Sequence, residues 1–260
     1  MLLPVELIDR IFSFLQGDIL TLKACSKAHS LYSRLAERYL YADIFVVTND
    51  RELYKQLSGN SHILDYPRTL EIHTALASLD LTLSIILMIP QMPNLMSLSL
   101  YGMLDICEDS VSTFRNCFQQ SSIEQLHLQN CHGFPFSVLD NAKSIKKLTL
   151  SHCSAIEEPL SEATLPIETL KISGTHNQRL LLWTSRRVTK LHTLELRAMW
   201  ESKCPQLLGA CSNSLRMLHL DVMNHCMWYT SIKFSDLHLA ACIGRDIYFY
   251  DVAHRGESAL

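Results

Sequence analysis

A chain that returns to one apolar spacing at near-regular intervals can bury those residues only by stacking each copy on the next. Here the spacing is an aliphatic residue, two variable positions, a leucine, one variable position, then leucine or isoleucine. It reads Leu95-x-x-Leu98-x-Leu100, Ile123-x-x-Leu126-x-Leu128, Ile145-x-x-Leu148-x-Leu150, Ile167-x-x-Leu170-x-Ile172, Leu191-x-x-Leu194-x-Leu196 and Leu215-x-x-Leu218-x-Leu220. Successive copies start 28, 22, 22, 24 and 24 residues apart. The alternation at the end of each copy has the two-residue period of a strand, and the remainder leaves room for a turn or a helix running back.

Weaker copies flank the clear ones. Pro67 stands at the first position of a degenerate unit carrying Leu70 and Ile72, and Asp43-Ile44-Phe45-Val46 reads as an entry strand. Phe234-x-x-Leu237-x-Leu239-x-x-Cys242 closes the series, giving roughly eight units between residues 67 and 250. The long intervals predict helices over 76–88 and 110–120, and Cys204-Pro205-Gln206-Leu207-Leu208 opens a shorter one. Residues 154–166, which hold Pro159 and Pro166, read as a loop or one short turn. The fold class is therefore α/β: an irregular leucine-rich-repeat solenoid, or horseshoe, with parallel strands on its concave face.

Strand alternation assigns the outward positions. In each unit the last two aliphatic residues point inward, so the residues beside and between them face out. The expected face includes Ser97, Ser99 and Tyr101; Gln125, His127 and Gln129; Lys147, Thr149 and Ser151; and Thr169, Lys171 and Ser173. It continues through Thr193, Glu195 and Arg197; Met217, His219 and Asp221; and Asp236 and His238. Eight strands about 4.8 Å apart would span about 34 Å, a protein-sized contact. Tyr101, His127, Lys171, Glu195, Arg197, Met217 and His219 are the candidate substrate-binding residues, with Tyr101, Met217 and His219 the favoured anchors.

Composition narrows the function classes. A net charge of −3 with scattered basic residues gives no footprint for nucleic acid or an anionic membrane. The opening MLLPVELIDR lacks the apolar core of a secretory signal, and the run from Leu79 to Ile89 is too short to span a bilayer. Nine cysteines with no CxxC pair point to a reduced, cytoplasmic or nuclear chain. Cys131, Cys153 and Cys242 each stand three residues after the last aliphatic of a unit, where a small side chain packs in the turn. No nucleophile elbow, phosphate loop or HExxH is present, and the His219, Asp221, His225 and Cys226 neighbourhood lacks a third ligand at useful spacing. The chain reads as a non-enzyme with no catalytic residues, metal or cofactor. Trp183, Trp200 and Trp228 fall between units, with packing over the stack favoured over an exposed rim.

Ahead of the repeats lie three short amphipathic segments. Pro4 and Glu6 suit the first turn of a helix whose face carries Leu7, Ile11 and Leu15, flanked by Ile8 and Phe12; Gly17 stops it. Asp18 caps a second helix with Ile19 and Leu22, and a third carries Leu31, Leu35 and Tyr39 or Leu40. Their apolar faces are generous for a free-standing bundle of this size. LPVELIDRIFSFL, followed by KACSKAHSLYSRLAERYLYADIFV, resembles an F-box, and in particular fungal proteins that join an F-box to divergent leucine-rich repeats. The resemblance implies a three-helix F-box that binds a Skp1-type adaptor through Leu3, Pro4, Glu6, Leu7, Ile11, Phe12, Leu15, Leu22, Leu31 and Leu35. It further implies a substrate-recognition subunit of a cullin-based (SCF-type) ubiquitin ligase, holding an unknown protein substrate. The alternative is a non-catalytic repeat scaffold whose helices only cap the solenoid. The expected organisation is an F-box-like domain at 1–42, a connecting segment at 43–66, the repeats at 67–250 and a tail at 251–260.

Overall fold

The computed structural model describes residues 3–47, 51–74, 79–102, 108–140, 142–155, 164–174, 178–188, 190–197, 204–211, 213–222 and 247–251. Three helices come first: α1 (Val5–Phe14), α2 (Ile19–Ala28) and α3 (Ser30–Leu40). The Pro4 carbonyl, one residue before α1, accepts from the Leu7 and Ile8 N–H groups. Gly17, with φ at +100°, turns the chain toward α2. Asp18 caps α2 by accepting from the Thr21 N–H at 3.0 Å and the Thr21 hydroxyl at 2.7 Å, which holds its carboxyl below the usual range. The α3 cap is His29, whose Nδ1 accepts from the Leu31 N–H.

A parallel sheet follows. Its strands are β1 (Asp43–Val46), β2 (Thr69–His73), β3 (Ser97–Tyr101), β4 (Gln125–Gln129), β6 (Lys147–Ser151), β8 (Thr169–Ser173), β9 (Thr193–Arg197), β10 (Met217–Val222) and β11 (Ile247–Asp251), in that spatial order. Two short strands, β5 (His132–Phe134) and β7 (Ser154–Ala155), form a separate pair, so Ser154 and Ala155 begin with a strand where a loop or turn was expected. The intervening helices are α4 (Arg51–Gly59), α5 (Leu79–Met88), α6 (Glu108–Gln120), α7 (Gln178–Arg187) and α8 (Cys204–Cys211). The segment 43–66, expected as a connector, thus supplies a strand and a helix. The closing unit expected at 234–242 lies outside the described residues; β11, whose last residue falls where the tail was expected to begin, pairs with β10.

Spatial order that follows chain order has a geometric consequence. Right-handed crossovers that always advance in one direction return every connection on the same side of the sheet. One face is therefore covered and the other open, and strand burial alternates accordingly: Leu98, Leu100, Leu126, Leu128, Leu148, Leu150, Leu170 and Ile172 are buried, while their neighbours are half-buried or exposed. The first aliphatic residue of each unit, from Leu95 to Leu215, is buried too. On the covered side an aromatic chain runs from Phe114 of α6 through Phe134 and Phe136 to Trp183 of α7, with successive ring centroids 6.0, 5.2 and 4.9 Å apart. Trp183 is packed inside; Trp200 and Trp228 lie outside the described residues.

Four successive units end in the same way. Gly102, Asn130, His152 and Gly174, two residues past the last aliphatic, all have positive φ, between 52° and 72°. Each donates its N–H to the last carbonyl of the next strand, on Gln129, Ser151, Ser173 and Arg197 respectively, at 2.8–3.1 Å. Asn130 and His152 are followed by the buried Cys131 and Cys153, whose thiols donate back to the Leu100 and Leu128 carbonyls at 3.5 and 3.2 Å. The turn position foreseen for these two cysteines is thus where they pack; Cys242 lies outside the described residues. Among the described residues, no helix is long and apolar enough to cross a membrane.

Candidate interaction surfaces

Two surfaces stand out, one on the helices and one on the open face of the sheet. The first begins with an imbalance. The three helices close over five buried residues, Ile8, Phe12, Leu22, Leu35 and Ala36, a cluster separate from the forty-eight buried residues of the sheet and its helices. Of the thirteen large apolar side chains exposed among the described residues, eight lie before residue 32. So small a core coexists with an apolar exterior.

Helix geometry explains how α1 carries both. Ile8, Phe12 and Leu15 are spaced i, i+4, i+7 and turn inward; Leu7, Ile11 and Phe14 have the same spacing one residue earlier and turn out. Leu3 precedes Leu7 by four and is exposed as well. Phe14 is 79% exposed and Leu20, on α2, is 81% exposed. The inward stripe is thus rotated by one residue from the Leu7, Ile11 and Leu15 face read from the sequence.

The ten expected adaptor-binding residues divide accordingly. Leu3, Pro4, Glu6, Leu7, Ile11 and Leu31 are exposed, and Leu15 is partly buried. Phe12, Leu22 and Leu35 are enclosed in the small core, where they support the surface from behind and cannot touch a partner unless the helices move apart. Phe14, Leu20 and the exposed Val5 and Ile19 widen the outward patch. Phe14 was legible from its seven-residue distance to Leu7. A polar seam joins α1 to α3, where the Tyr39 hydroxyl donates to the Asp9 carbonyl at 3.1 Å and Arg38 lies 3.5 Å from the Asp9 carboxylate.

No family model matches this chain. No curated protein matches it either.

On the open face, register aligns the outward residues in rows. One row runs Phe45, Glu71, Ser99, His127, Thr149, Lys171, Glu195, His219 from β1 to β10, and the next runs His73, Tyr101, Gln129, Ser151, Ser173, Arg197, Asp221. Toward β1 the rows bring aromatic groups together. Tyr101 stacks on His73, with centroids 4.3 Å apart and planes 4° from parallel, and meets His127 edge-on at 5.4 Å. Glu71 Oε1 is 2.8 Å from His73 Nε2. Burial raises the Tyr101 hydroxyl above its ordinary range, with the Glu71 charge adding to it. His127 is held below the usual imidazole value, because burial outweighs the pull of Glu71. Phe45, Glu71 and His73 stand in the same rows, although none of them carries a repeat signature; strand alternation from the buried Leu70 and Ile72 turns Glu71 and His73 outward.

Toward β9 the charges gather on a nearly buried carboxylate. Glu195 Oε2 is 2.5 Å from Lys171 Nζ, and its Oε1 is 2.5 Å from Arg197 Nη2. Burial pushes the Glu195 carboxyl up, but the Lys171 hydrogen bond and charge, with Arg197, overcome it and leave the group below its ordinary value. Met217 is exposed and His219 half-buried on β10, beyond that triad. The seven expected face residues therefore fall into two groups: Tyr101 with His127, and Lys171, Glu195 and Arg197 followed by Met217 and His219. Thr149 and Ser151 form a floor of short polar groups on β6, the strand between the two groups.

Among the described residues, no three His, Cys, Asp or Glu side chains gather in a metal-binding arrangement. His225 and Cys226 lie outside them. Burial pushes the Cys117 thiol up to about 12 and the Cys211 thiol up to about 11, which keeps both protonated.

Proposed function

We propose that this chain is an F-box protein with divergent leucine-rich repeats. It acts as the substrate-recognition subunit of an SCF-type ubiquitin ligase, in the cytoplasm or nucleus. The observation that carries this reading is the outward apolar patch of α1 and α2 on a module with so small a core. Burying one Leu, Ile or Phe side chain contributes about 1.5–3 kcal/mol before the costs of association, so Phe14 and Leu20 alone offer a partner about 3–6 kcal/mol. A Skp1-type adaptor is the occupant that the LPVEL resemblance implies. The recurring strand unit and the chain-ordered parallel sheet support the solenoid reading, and its open face is the surface proposed to hold the target. The chain itself performs no chemistry in this scheme; it raises the target's effective concentration beside the charged ubiquitin carrier.

A capping role for the helices has an observation of its own. The Ala42 carbonyl accepts from the Arg68 and Thr69 N–H groups, Tyr41 donates to Gln56 at 3.1 Å, and His62 lies 3.3 Å from Glu37. These contacts tie the module to the start of the sheet while leaving the outward patch of α1 clear, so capping and docking are compatible. Capture by purified Skp1-type adaptor separates a receptor from a scaffold that only caps. Wild type is expected to bind at micromolar concentration or tighter. Leu7→Asp with Ile11→Asp is expected to abolish capture without changing the circular dichroism spectrum, since both side chains face solvent. Failure of the wild type to bind leaves the scaffold reading standing.

A further inference from the structure

We infer that the open face of the sheet takes one extended polypeptide segment laid across the strands in a fixed direction, with basic residues over β1–β4 and acidic residues over β6, β8 and β9. The inference rests on the proposed role of this face in holding a target, and it names that target's chemistry.

The face is electrically two-ended. The outward positions of β1–β4 carry Asp43 and Glu71 and no lysine or arginine. Those of β6, β8 and β9 carry Lys147, Lys171 and Arg197 against Glu195, and Asp221 follows Arg197 in register on β10, which leaves this end with the excess of cations. The Glu195 carboxylate is already shared by Lys171 and Arg197, whose side chains remain 40% and 59% exposed. On β6 and β9, the two strands flanking Lys171, Glu195 is the one outward carboxylate among the described residues, so the remaining Lys171 N–H donors suit an incoming one. At the other end Phe45 is exposed and pairs in register with Glu71, so a guanidinium or ammonium meets an aromatic ring and a carboxylate side by side.

Backbone chemistry sets how a segment must lie. The interior strands use their N–H and C=O groups on each other, so an incoming chain cannot add as a further strand and must be read through side chains. The charges separate across the strands rather than along them, which turns the segment crosswise. From β2 to β9 there are five interstrand steps, about 24 Å, which an extended chain covers in about seven residues. The path runs past the Tyr101 and His127 rings on β3 and β4 and is low over the short Thr149 and Ser151 side chains of β6.

The test uses fluorescein-labelled peptides and the full chain at low salt. One peptide carries Arg-Lys-Arg, a seven-residue Gly/Ser spacer and Glu-Asp-Glu; the second has the same composition with its charges interleaved. Fluorescence anisotropy is expected to show the two-ended peptide binding at least about five-fold more tightly. Glu71→Gln, a mild change, and Lys171→Glu with Arg197→Glu are each expected to remove that preference. A photo-crosslinker at the basic end is expected to label β1–β3. Equal binding of the two peptides, no measurable binding, labelling at β9, or a preference untouched by both variants overturns the inference. Adaptor capture measured on the same preparations reads only the helical patch. Capture without peptide discrimination sinks this inference alone, and discrimination without capture sinks the receptor reading alone.

Discussion

The three leading helices and the sheet that follows are built from similarly apolar sequence and spend it in opposite ways. The sheet turns its leucines inward at every unit and leaves short polar groups on its open face. The helices keep five residues for themselves and turn a comparable set outward. The difference follows from geometry. A strand sends alternate residues to opposite faces, so an LxL unit has no outward leucine, whereas α1 can carry two apolar stripes about 100° apart. Where apolar residues are in excess of what the local core can take, the surplus marks a place for another molecule.

Core truncations test this contrast most severely. Leu148→Ala in the sheet and Phe12→Ala in the helices should each cost about 2–5 kcal/mol. Their reach should differ: hydrogen exchange is expected to show Leu148→Ala weakening protection through several neighbouring strands and Phe12→Ala opening only α1–α3. Loss of strand protection in Phe12→Ala would break the division into two cores. Gly174→Ala should have a smaller effect, about 1–2 kcal/mol, because φ at +59° disfavours a side chain and the new Cβ would overlap the His152 imidazole. The measurement is a urea unfolding midpoint, and a further His152→Ala change should recover only the overlap part of the loss. The smallest effect concerns the open face. The folded-state Glu195 carboxyl is held below its ordinary value of 4.5, so its contribution is fully present above that value and disappears as pH falls through the lowered one. Glu195→Gln should therefore lower stability by about 1 kcal/mol or less at neutral pH, since both cationic partners are well exposed. The gap from wild type should close as pH falls from 4.5 through the lowered value, as read by thermal unfolding.

How much was legible in advance depended on whether a residue's place is decided locally. The inward leucines, the outward face from Ser97 to His219 and the turn positions of Cys131 and Cys153 follow from period alone. Helices α5 and α6 were expected because the long intervals leave room for them. Helix α7 was not, because its inner face includes Arg187, which is 1% exposed and paired with Asp140 forty-seven residues earlier. A local pattern counts an arginine as a solvent residue; Trp183, four residues earlier on the same helix, lies 5.7 Å from its guanidinium, but only the fold brings it a carboxylate. On α1 the choice between two stripes one residue apart was invisible, because both are fully apolar; α3, with Leu35 and Ala36 buried, decides it. The pairing of β11 with β10 likewise carries no repeat signature in the sequence.

The row of left-handed residues that hands each N–H to the next strand's carbonyl makes the sheet a chain of neighbours rather than a single block. Pulled from its two ends, such a molecule should come apart like a zip, one strand at a time and at nearly level force. The Arg187–Asp140 bridge acts across units instead of between adjacent strands, and it is where that unzipping would meet a stitch.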